Sequence, residues 1–490
     1  MKRLVFLLVL FSFLMSCQKD YNNTKQPYKL IPNETSAVIK VNELNDFINS
    51  IENHDILSGI YNKELKNASN VLKNLNTTHH VLISLSNSTK DNSDYIILTK
   101  NDSTLFVVDS IPNHISESLM NFKIQKTQID STIIYHKIIG SVFAGSNNLE
   151  LLKNLDSEKE NLKLTKLIET TDKKSVASIV FKTDSPNYSK LLFSQIEEAP
   201  SANYSVLDLN YTDKSLQYNG ILTSKDSISN HINSFKNTVP QKTNAPQIAS
   251  YNTKSLISLS YDDFSVFSKN LRTFSTKEID STETFLNFTN EIAVIDNVLM
   301  LHALDPSLIL ESIEKSNIET FRGIDIYDFS NPEFFKSRLM PFISYNNAQF
   351  FSVYENFIVF TDSKESLKSI LTDRLSNNTL ANSDAFKNIS KNLSNEASLF
   401  IFKNSEGLSE VLKQNTKGYN ANAVQLIYEN NYAHINGVIQ KFKRRASSNS
   451  VVEAFTTQVD AEIISEPQSL KNHVTKAHDV AVQDVNNVLY

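Results

Sequence analysis

This chain repeats itself, and a repeat has to be recognised before any single element is read. Ser36-Ala37-Val38-Ile39-Lys40-Val41 reads as a strand, and Leu44, Phe47, Ile48 and Ile51 follow at the i, i+3, i+4, i+7 spacing of an amphipathic helix. The same order returns about 220 residues later, with Ser255-Leu256-Ile257-Ser258-Leu259-Ser260 followed by Phe264, Phe267 and Leu271. Val142-Phe143-Ala144-Gly145-Ser146 precedes a Leu-rich helix (Leu149, Leu152, Leu155). Val359-Phe360-Thr361-Asp362-Ser363 precedes another, with Leu367, Ile370 and Leu371. Ala177 to Lys182 matches Ser398 to Lys403. Tyr218-Asn219-Gly220-Ile221 matches Ile435-Asn436-Gly437-Val438, each pairing back onto an apolar strand at Leu207 to Leu209 or Leu426 to Tyr428. Four collinear matches at nearly constant spacing predict a tandem duplication. Each half mixes alternating strands with amphipathic helices without a strict βαβ rhythm, so the fold class expected is α+β with mostly antiparallel sheet. Pro240 to Pro246 is polar, bracketed by prolines and aperiodic, as a linker between the copies would be.

Composition narrows what the copies do. With 48 Lys plus Arg against 54 Asp plus Glu, the net charge of −6 gives no pull toward nucleic acid. Only 8 of 490 residues are glycine, which counts against glycine-rich phosphate loops and leaves tight turns to Asn, Asp and Ser, as at Asn147-Asn148 and Asn377-Asn378. The single cysteine, Cys17, excludes an internal disulfide and any Cys-based zinc cluster.

That cysteine closes a short basic start (Lys2-Arg3) and an apolar run from Leu4 to Met15, too short to span a bilayer and of the length of a secretory h-region. Leu14-Met15-Ser16-Cys17 resembles a bacterial lipoprotein signal. The resemblance implies a diacylglyceryl thioether on Cys17, cleavage before it and acylation of the new amino terminus, several chains together giving the stable anchor that one would not. Gln18-Lys19-Asp20 looks like a surface-export signal of Bacteroidota lipoproteins. The competing reading is an ordinary signal with an incidental cysteine.

At the other end, Lys441, Lys443, Arg444 and Arg445 form a basic cluster, read as a solvated linker in preference to a contact for anionic lipid or phosphate. His478 to Asp484 reads as a strand, Val485-Asn486-Asn487 as a turn and Val488-Leu489-Tyr490 as the start of another strand, which predicts a longer native chain. The paired strand–helix units, the segment Phe321-Arg322-Gly323-Ile324-Asp325-Ile326-Tyr327 and the two Asn-Gly hairpins resemble an uncharacterised family of Bacteroidota lipoproteins. In that family a domain of unknown function precedes β-propeller-like repeats, and Asp479 to Tyr490 is similar to the entry into such a repeat. The expected organisation is a signal and lipobox at 1–17, a linker at 18–27, copies at 28–239 and 251–440 joined by a linker at 240–250, a basic and polar linker at 441–450, and the start of a propeller-like domain at 451–490.

No catalytic motif emerges. Gly140-Ser-Val-Phe-Ala-Gly145 has the spacing of a phosphate loop, but Ser146 and Asn147 stand where Lys and Ser/Thr are required, so it reads as structure. His79-His80 is the one adjacent histidine pair, and neighbours at a strand start point to opposite faces, which disfavours a shared metal. Glu197-Glu198 and Asp262-Asp263 are adjacent in sequence, whereas acid–base pairs must converge in space. Asp262 and Asp263 read as caps of the helix carrying Phe264 and Phe267. No cofactor, metal or catalytic residue is expected. The function expected is that of an outer-membrane envelope lipoprotein, periplasmic or surface-facing, anchored in the bilayer through acylated Cys17. It would bind or assemble with a protein or polymer partner and not nucleic acid. The alternative is an envelope hydrolase whose site is not recognisable from sequence; a flat surface, or a concave face between the halves lined by aromatics and amides, would favour binding, and convergent carboxylates with raised pKa in a deep cleft the enzyme.

Overall fold

The computed structural model describes residues 26–61, 63–87, 93–157, 159–183, 188–193, 203–224, 230–274, 285–442, 459, 461–473 and 478–490. The signal and Cys17, Gln18 to Asp20, Glu197-Glu198, Lys443 to Arg445 and the polar stretch up to Ser450 lie outside these residues. The chain forms two compact units, Met1–Phe442 and Lys443–Tyr490.

The first copy contributes β1 (Thr35–Val41), β2 (Val81–Asn87), β3 (Ser93–Lys100), β4 (His114–Leu119), β5 (Ile124–Ile129), β6 (Thr132–Ile139), β7 (Val142–Ser146), β8 (Ala177–Lys182), β9 (Tyr204–Thr212) and β10 (Ser215–Thr223). A short β11 (Gln241–Lys242) follows. The second copy contributes β12 (Ser255–Ser260), β13 (Thr289–Ile295), β14 (Val298–Ala303), β15 (Lys315–Phe321), β16 (Ile324–Phe329), β17 (Phe350–Tyr354), β18 (Phe357–Thr361), the short β19 (Glu396–Ala397), β20 (Leu399–Lys403), β21 (Ala421–Glu429) and β22 (Tyr432–Gln440). Strand follows strand in one antiparallel sheet in the order 4-5-6-7-3-2-1-8-9-10-22-21-20-12-13-14-18-17-16-15. The fold is α+β, and the sheet is open, with β4 and β15 at its ends.

That order is a palindrome in structural equivalents, and its centre falls between two residues. β10 pairs with β22 so that Asn219 faces Asn436, Tyr218 faces Gly437 and Gly220 faces Ile435. Since Asn219-Gly220 and Asn436-Gly437 are equivalent steps, a pseudo-two-fold axis passes through the Asn219–Asn436 pair. The Asn-Gly steps thus lie in mid-strand, while the hairpin turns they were read with are built at Asp213-Lys214 and Asn430-Asn431. With glycine scarce, Asn and Asp carry many of the left-handed turns, among them Asn113, Asp130, Asn237, Asp296 and Asn377.

One face of the sheet is covered by a core that runs unbroken through both copies. Phe47, Ile48 and Ile51 of the helix Leu44–Asn53 and Phe264, Phe267 and Leu271 of the helix Phe264–Phe274 pack there, as their spacing predicts. The opposite face carries two separate cores. In the first copy it lies under the helices Leu149–Asn154 and Leu162–Glu169, and in the second under Lys364–Leu375 and Asp384–Ile389. Asn148 and Ser363 cap equivalent helices with their side chains.

The structure corrects three of the four sequence matches in register. Ala177 pairs with Leu209 and Leu399 with Leu426, so Leu399, not Ser398, stands where Ala177 does. A one-residue slip exchanges the two faces of a strand, and Phe181 indeed belongs to the shared core while Phe402 belongs to the outer one. By the same pairing Lys40, opposite Ser178, is equivalent to Ser258, opposite Phe400. Val142 corresponds to Phe357 rather than Val359, a two-residue slip that keeps the face.

The segment 240–250, expected to be a linker, is part of the packed body. β11 pairs with β19, and Asn244, Ala245, Pro246, Ile248 and Ala249 are buried. The Glu291 carboxylate, fully buried, accepts from the Asn244 and Ala245 amides at 2.7 and 3.0 Å and from Ser258 Oγ at 2.6 Å. Asp262 accepts from the Val239 amide at 2.7 Å. The cost of burying Glu291 is offset by three donors that also tie the connection between the copies to β12 and β13. Lys441, at the start of the expected basic linker, pairs with Asp55 and lies over the Tyr419 ring.

In the second unit, β23 (Gln468–Lys471) pairs with β24 (His478–Ala481), and Gln483 bridges to Leu489. Asp484 accepts from the Asn486 and Val488 amides, both at 2.8 Å, and from Tyr490 Oη at 3.2 Å, closing the turn expected there.

Candidate functional site

The shared core is not filled throughout. Beneath the junction of the copies lies a cavity of about 290 Å3. Leu192, Phe193, Ile232 and Phe235 come from two turns of the first copy, and Leu222 comes from β10. The second copy supplies Ile257 from β12, Leu399 and Ile401 from β20, Leu426 from β21 and the segment around Met340, Pro341 and Phe342. Alternation along the strands aims these side chains to one face. Phe193 ends its turn in the left-handed region (φ 51°), unusual for an aromatic residue, and is buried.

The walls are dry. Phe193, Leu222 and Phe235 are each 1% exposed and Ile232 2%. Exposure rises at Met340, Pro341 and Ser344 and at Ile257, and Ser344 is the one polar side chain of the lining among the described residues. An apolar cavity of about 150 Å3 stays empty of water and accepts benzene, and this one has nearly twice that space. One wall hangs from the junction strands: the Tyr218 hydroxyl of β10 donates to the Leu191 carbonyl, the residue before Leu192. Among the described residues the lining holds no titratable side chain, and Ser344 at its edge is its one hydroxyl.

The residues singled out in the sequence go elsewhere. Asp263 caps its helix, its Oδ1 accepting from the Ser265 amide at 2.8 Å and the Val266 amide at 3.3 Å. The Ser265 hydroxyl, at 2.6 Å, and then these two amides hold its pKa below the ordinary value. Gly140 sits in the β6–β7 turn at φ 62°, and Gly145 is inside β7 against Ile134, with no loop to cradle phosphate. His79 is exposed and His80 half-buried; burial, then the charge of Lys40, holds His80 below the usual imidazole range. Among the described residues no group of three or more His, Cys, Asp or Glu side chains is placed to hold a metal ion. The buried carboxylates do not converge on a cleft. Asp208 accepts from Ser178 Oγ at 2.5 Å and the Asp172 amide at 3.0 Å, and Glu291 is engaged as described. Burial raises the pKa of both.

Sequence reasoning missed the cavity because its lining comes from distant segments, each reading as ordinary core. A different signal was available in β1. Lys40 is the lone charge in an apolar strand, on the face it shares with Val38, and the structure buries it to 7% exposure.

No family model and no curated protein matches the chain. Among solved structures, three crystal forms of TP0453 are similar to part of it. Form I is 10% identical with a TM-score of 0.29, covering 42% of this chain and 81% of that one. Form IV is 9% identical at 0.27 over 42% and 83%, and form III 9% identical at 0.27 over 44% and 85%. A likeness this faint bears on neither the fold nor the function of this chain. Among the described residues no helix is long and apolar enough to cross a membrane, which says nothing of strands.

Proposed function

We propose that this chain is a non-enzymatic lipoprotein of the cell envelope. Acylated Cys17 holds it in the outer membrane, and it binds the hydrocarbon part of a ligand in the cavity under the copy junction. The observation that carries the binding role is the cavity itself: about 290 Å3, walled by both copies with apolar side chains, with Met340, Pro341 and Ser344 among its more exposed lining residues. Each methylene moved from water into such a space contributes about 0.8 kcal/mol, enough for an alkyl chain to bind without any charged partner. The anchor rests on the sequence Leu14-Met15-Ser16-Cys17.

Two experiments test the reading. An intact mass of the membrane-extracted protein consistent with triacylation at Cys17 supports the anchor, and an unacylated mass removes it. For the cavity, the full chain in detergent-free nanodiscs is titrated with cis-parinaric acid, a polyene fatty acid that fluoresces in apolar surroundings, and the signal of protein-free nanodiscs of the same lipid is subtracted. Saturable fluorescence is expected in the parent protein. Leu399→Phe, which grows into the empty volume, is expected to abolish it without loss of stability. Equal binding in both proteins refutes the assignment.

A further inference from the structure

The two copies differ most in chemistry at one equivalent place on the outer face. In the second copy, Ser258 and Glu291 occupy it, and the Glu291 carboxylate is held by Ser258 Oγ and by two backbone amides of the connecting segment. The pairings that make Lys40 equivalent to Ser258 also make His80 equivalent to Glu291: Val81 lies opposite Val41 as Ile292 lies opposite Leu259. The first copy therefore has a lysine and a histidine where the second has a hydroxyl and a carboxylate. The second copy's place is filled, whereas the first copy's opens as a pocket of about 500 Å3, lined by Lys40, His80, Asn42, Thr78 and Lys173 among others.

Lys40 is 7% exposed, and its ammonium donates to Thr171 Oγ1 at 2.8 Å. Among the described residues no carboxylate forms an ion pair with it within 4.0 Å. Asp208 and Asp172 act on it from further off, Lys173 opposes them, and the Asp208 carboxylate is already committed to Ser178 and the Asp172 amide. An ammonium so buried, with a hydroxyl but no carboxylate in contact, costs stability unless an anion reaches it. Glu43 and Glu169 stand exposed at the rim, where solvent screens them but where they repel a large polyanion.

We propose that the first copy binds a compact anion, a carboxylate or phosphate group, beside Lys40, in the place the second copy fills with its own Glu291. The ligand's anionic oxygen accepts from the Lys40 ammonium, with Lys173, His80 and Thr78 as further donors around it; the Asn42 amide is already bonded to the Asp172 and Ser175 carbonyls and only shapes the wall. This site is on the opposite face of the sheet from the apolar cavity and stands independently of it.

The test is a set of thermal melts of the full chain in sodium acetate and in sodium phosphate, each against sodium chloride at equal ionic strength. A saturable rise in Tm with one of the two anions is expected, and which one responds identifies the group. Lys40→Met is expected to weaken that response at least tenfold, Lys40→Arg to keep it, and Lys403→Met to leave it unchanged. Lys403 is the control because it is the comparably buried lysine of β20 in the second copy. If Lys40→Met melts too low to compare, the Lys40 13Cε resonance of the parent protein is followed instead, and it must shift with the same saturation. No response beyond chloride from either anion, or a response that survives intact in Lys40→Met, overturns the proposal.

Discussion

The pseudo-two-fold junction is sharpest at Gly437, and alanine there tests it. Gly437 lies opposite Tyr218 across the β10–β22 pair, and a Cβ at this position would overlap the Tyr218 ring. That ring is 2% exposed, and its hydroxyl is tied to the Leu191 carbonyl, so it has nowhere to retreat without breaking a buried hydrogen bond. Overpacking of this kind costs about 1–3 kcal/mol. Stranding the Leu191 carbonyl adds about 1–3 kcal/mol if the hydroxyl is pulled away. Gly437→Ala is therefore expected to destabilise the protein by about 2–6 kcal/mol, although Gly437 is not among the glycines held at positive φ.

The sign of the effect depends on the ring. In a Tyr218→Ala background the clash is gone, and alanine in mid-strand is favoured over glycine by about 0.5–1 kcal/mol. Gly437→Ala is then expected to be neutral or mildly stabilising. A double-mutant cycle read by urea denaturation, with far-UV circular dichroism as the probe, gives the coupling directly. The reasoning fails if Gly437→Ala costs the same in both backgrounds, or nothing in the parent, because the glycine would then not be there to admit the tyrosine. A positive result also implies that the cavity wall at Leu192 moves with the junction, so parinaric acid binding is expected to fall in Gly437→Ala as well.

Two further outcomes follow from other sites. Burial between Phe106 and Phe143 pushes the His136 imidazole down to about 4; the unfolded chain takes up that proton near 6.5 and the folded protein does not. Its contribution is thus present above pH 6.5 and lost as the pH falls to about 4, on the order of 3 kcal/mol. His136→Phe, which installs the residue the second copy has at the equivalent Phe351, is expected to reduce the slope of stability between these pH values, with His54, His80 and His302 still contributing to it, and an unchanged slope in urea midpoints against pH would count against the assignment. Asp263→Ala removes the cap of the helix Phe264–Phe274 and is expected to cost about 1 kcal/mol, measured by the same denaturation; a cost below a few tenths would show the cap to be dispensable.

The duplication was legible because strand and helix periodicities are local and both copies keep them. Register was not. The strings Ala177 to Lys182 and Ser398 to Lys403 look alike when lined up on their Phe and Lys residues, yet a strand buried on both faces carries no alternation to say which face is which. The ladder decides: Leu209 and Leu426 fix their partners, and the likeness turns out to be one residue off. The connector misled for a related reason. Its polar residues suggested solvent, while its backbone amides were in fact the partners a buried Glu291 needs, and nothing within residues 240–250 announces a carboxylate contributed by β13.

Placed on the correct register, the copies show where they were free to diverge. The row crossing the sheet through the axis reads Lys40, Ser178, Asp208 and Asn219 on one side and Ser258, Phe400, Gln425 and Asn436 on the other. Asparagine is kept at the centre, where the two strands must meet in a fixed alignment. One step out, the second copy stabilises its row by filling it: Phe400 is buried in the outer core, Gln425 is bonded to the Ser394 backbone, and Ser258 bonds to Glu291. The first copy keeps a buried ammonium and a buried carboxylate in the same places, with solvent access beside them. A sequence under pressure only to fold would be expected to relieve that cost, either with well-packed neutral groups, as Phe400 and Gln425 do, or with a full set of donors, as the second half gives its buried Glu291. The asymmetry between two halves that share one sheet is thus the strongest physical reason to look for a ligand in the first.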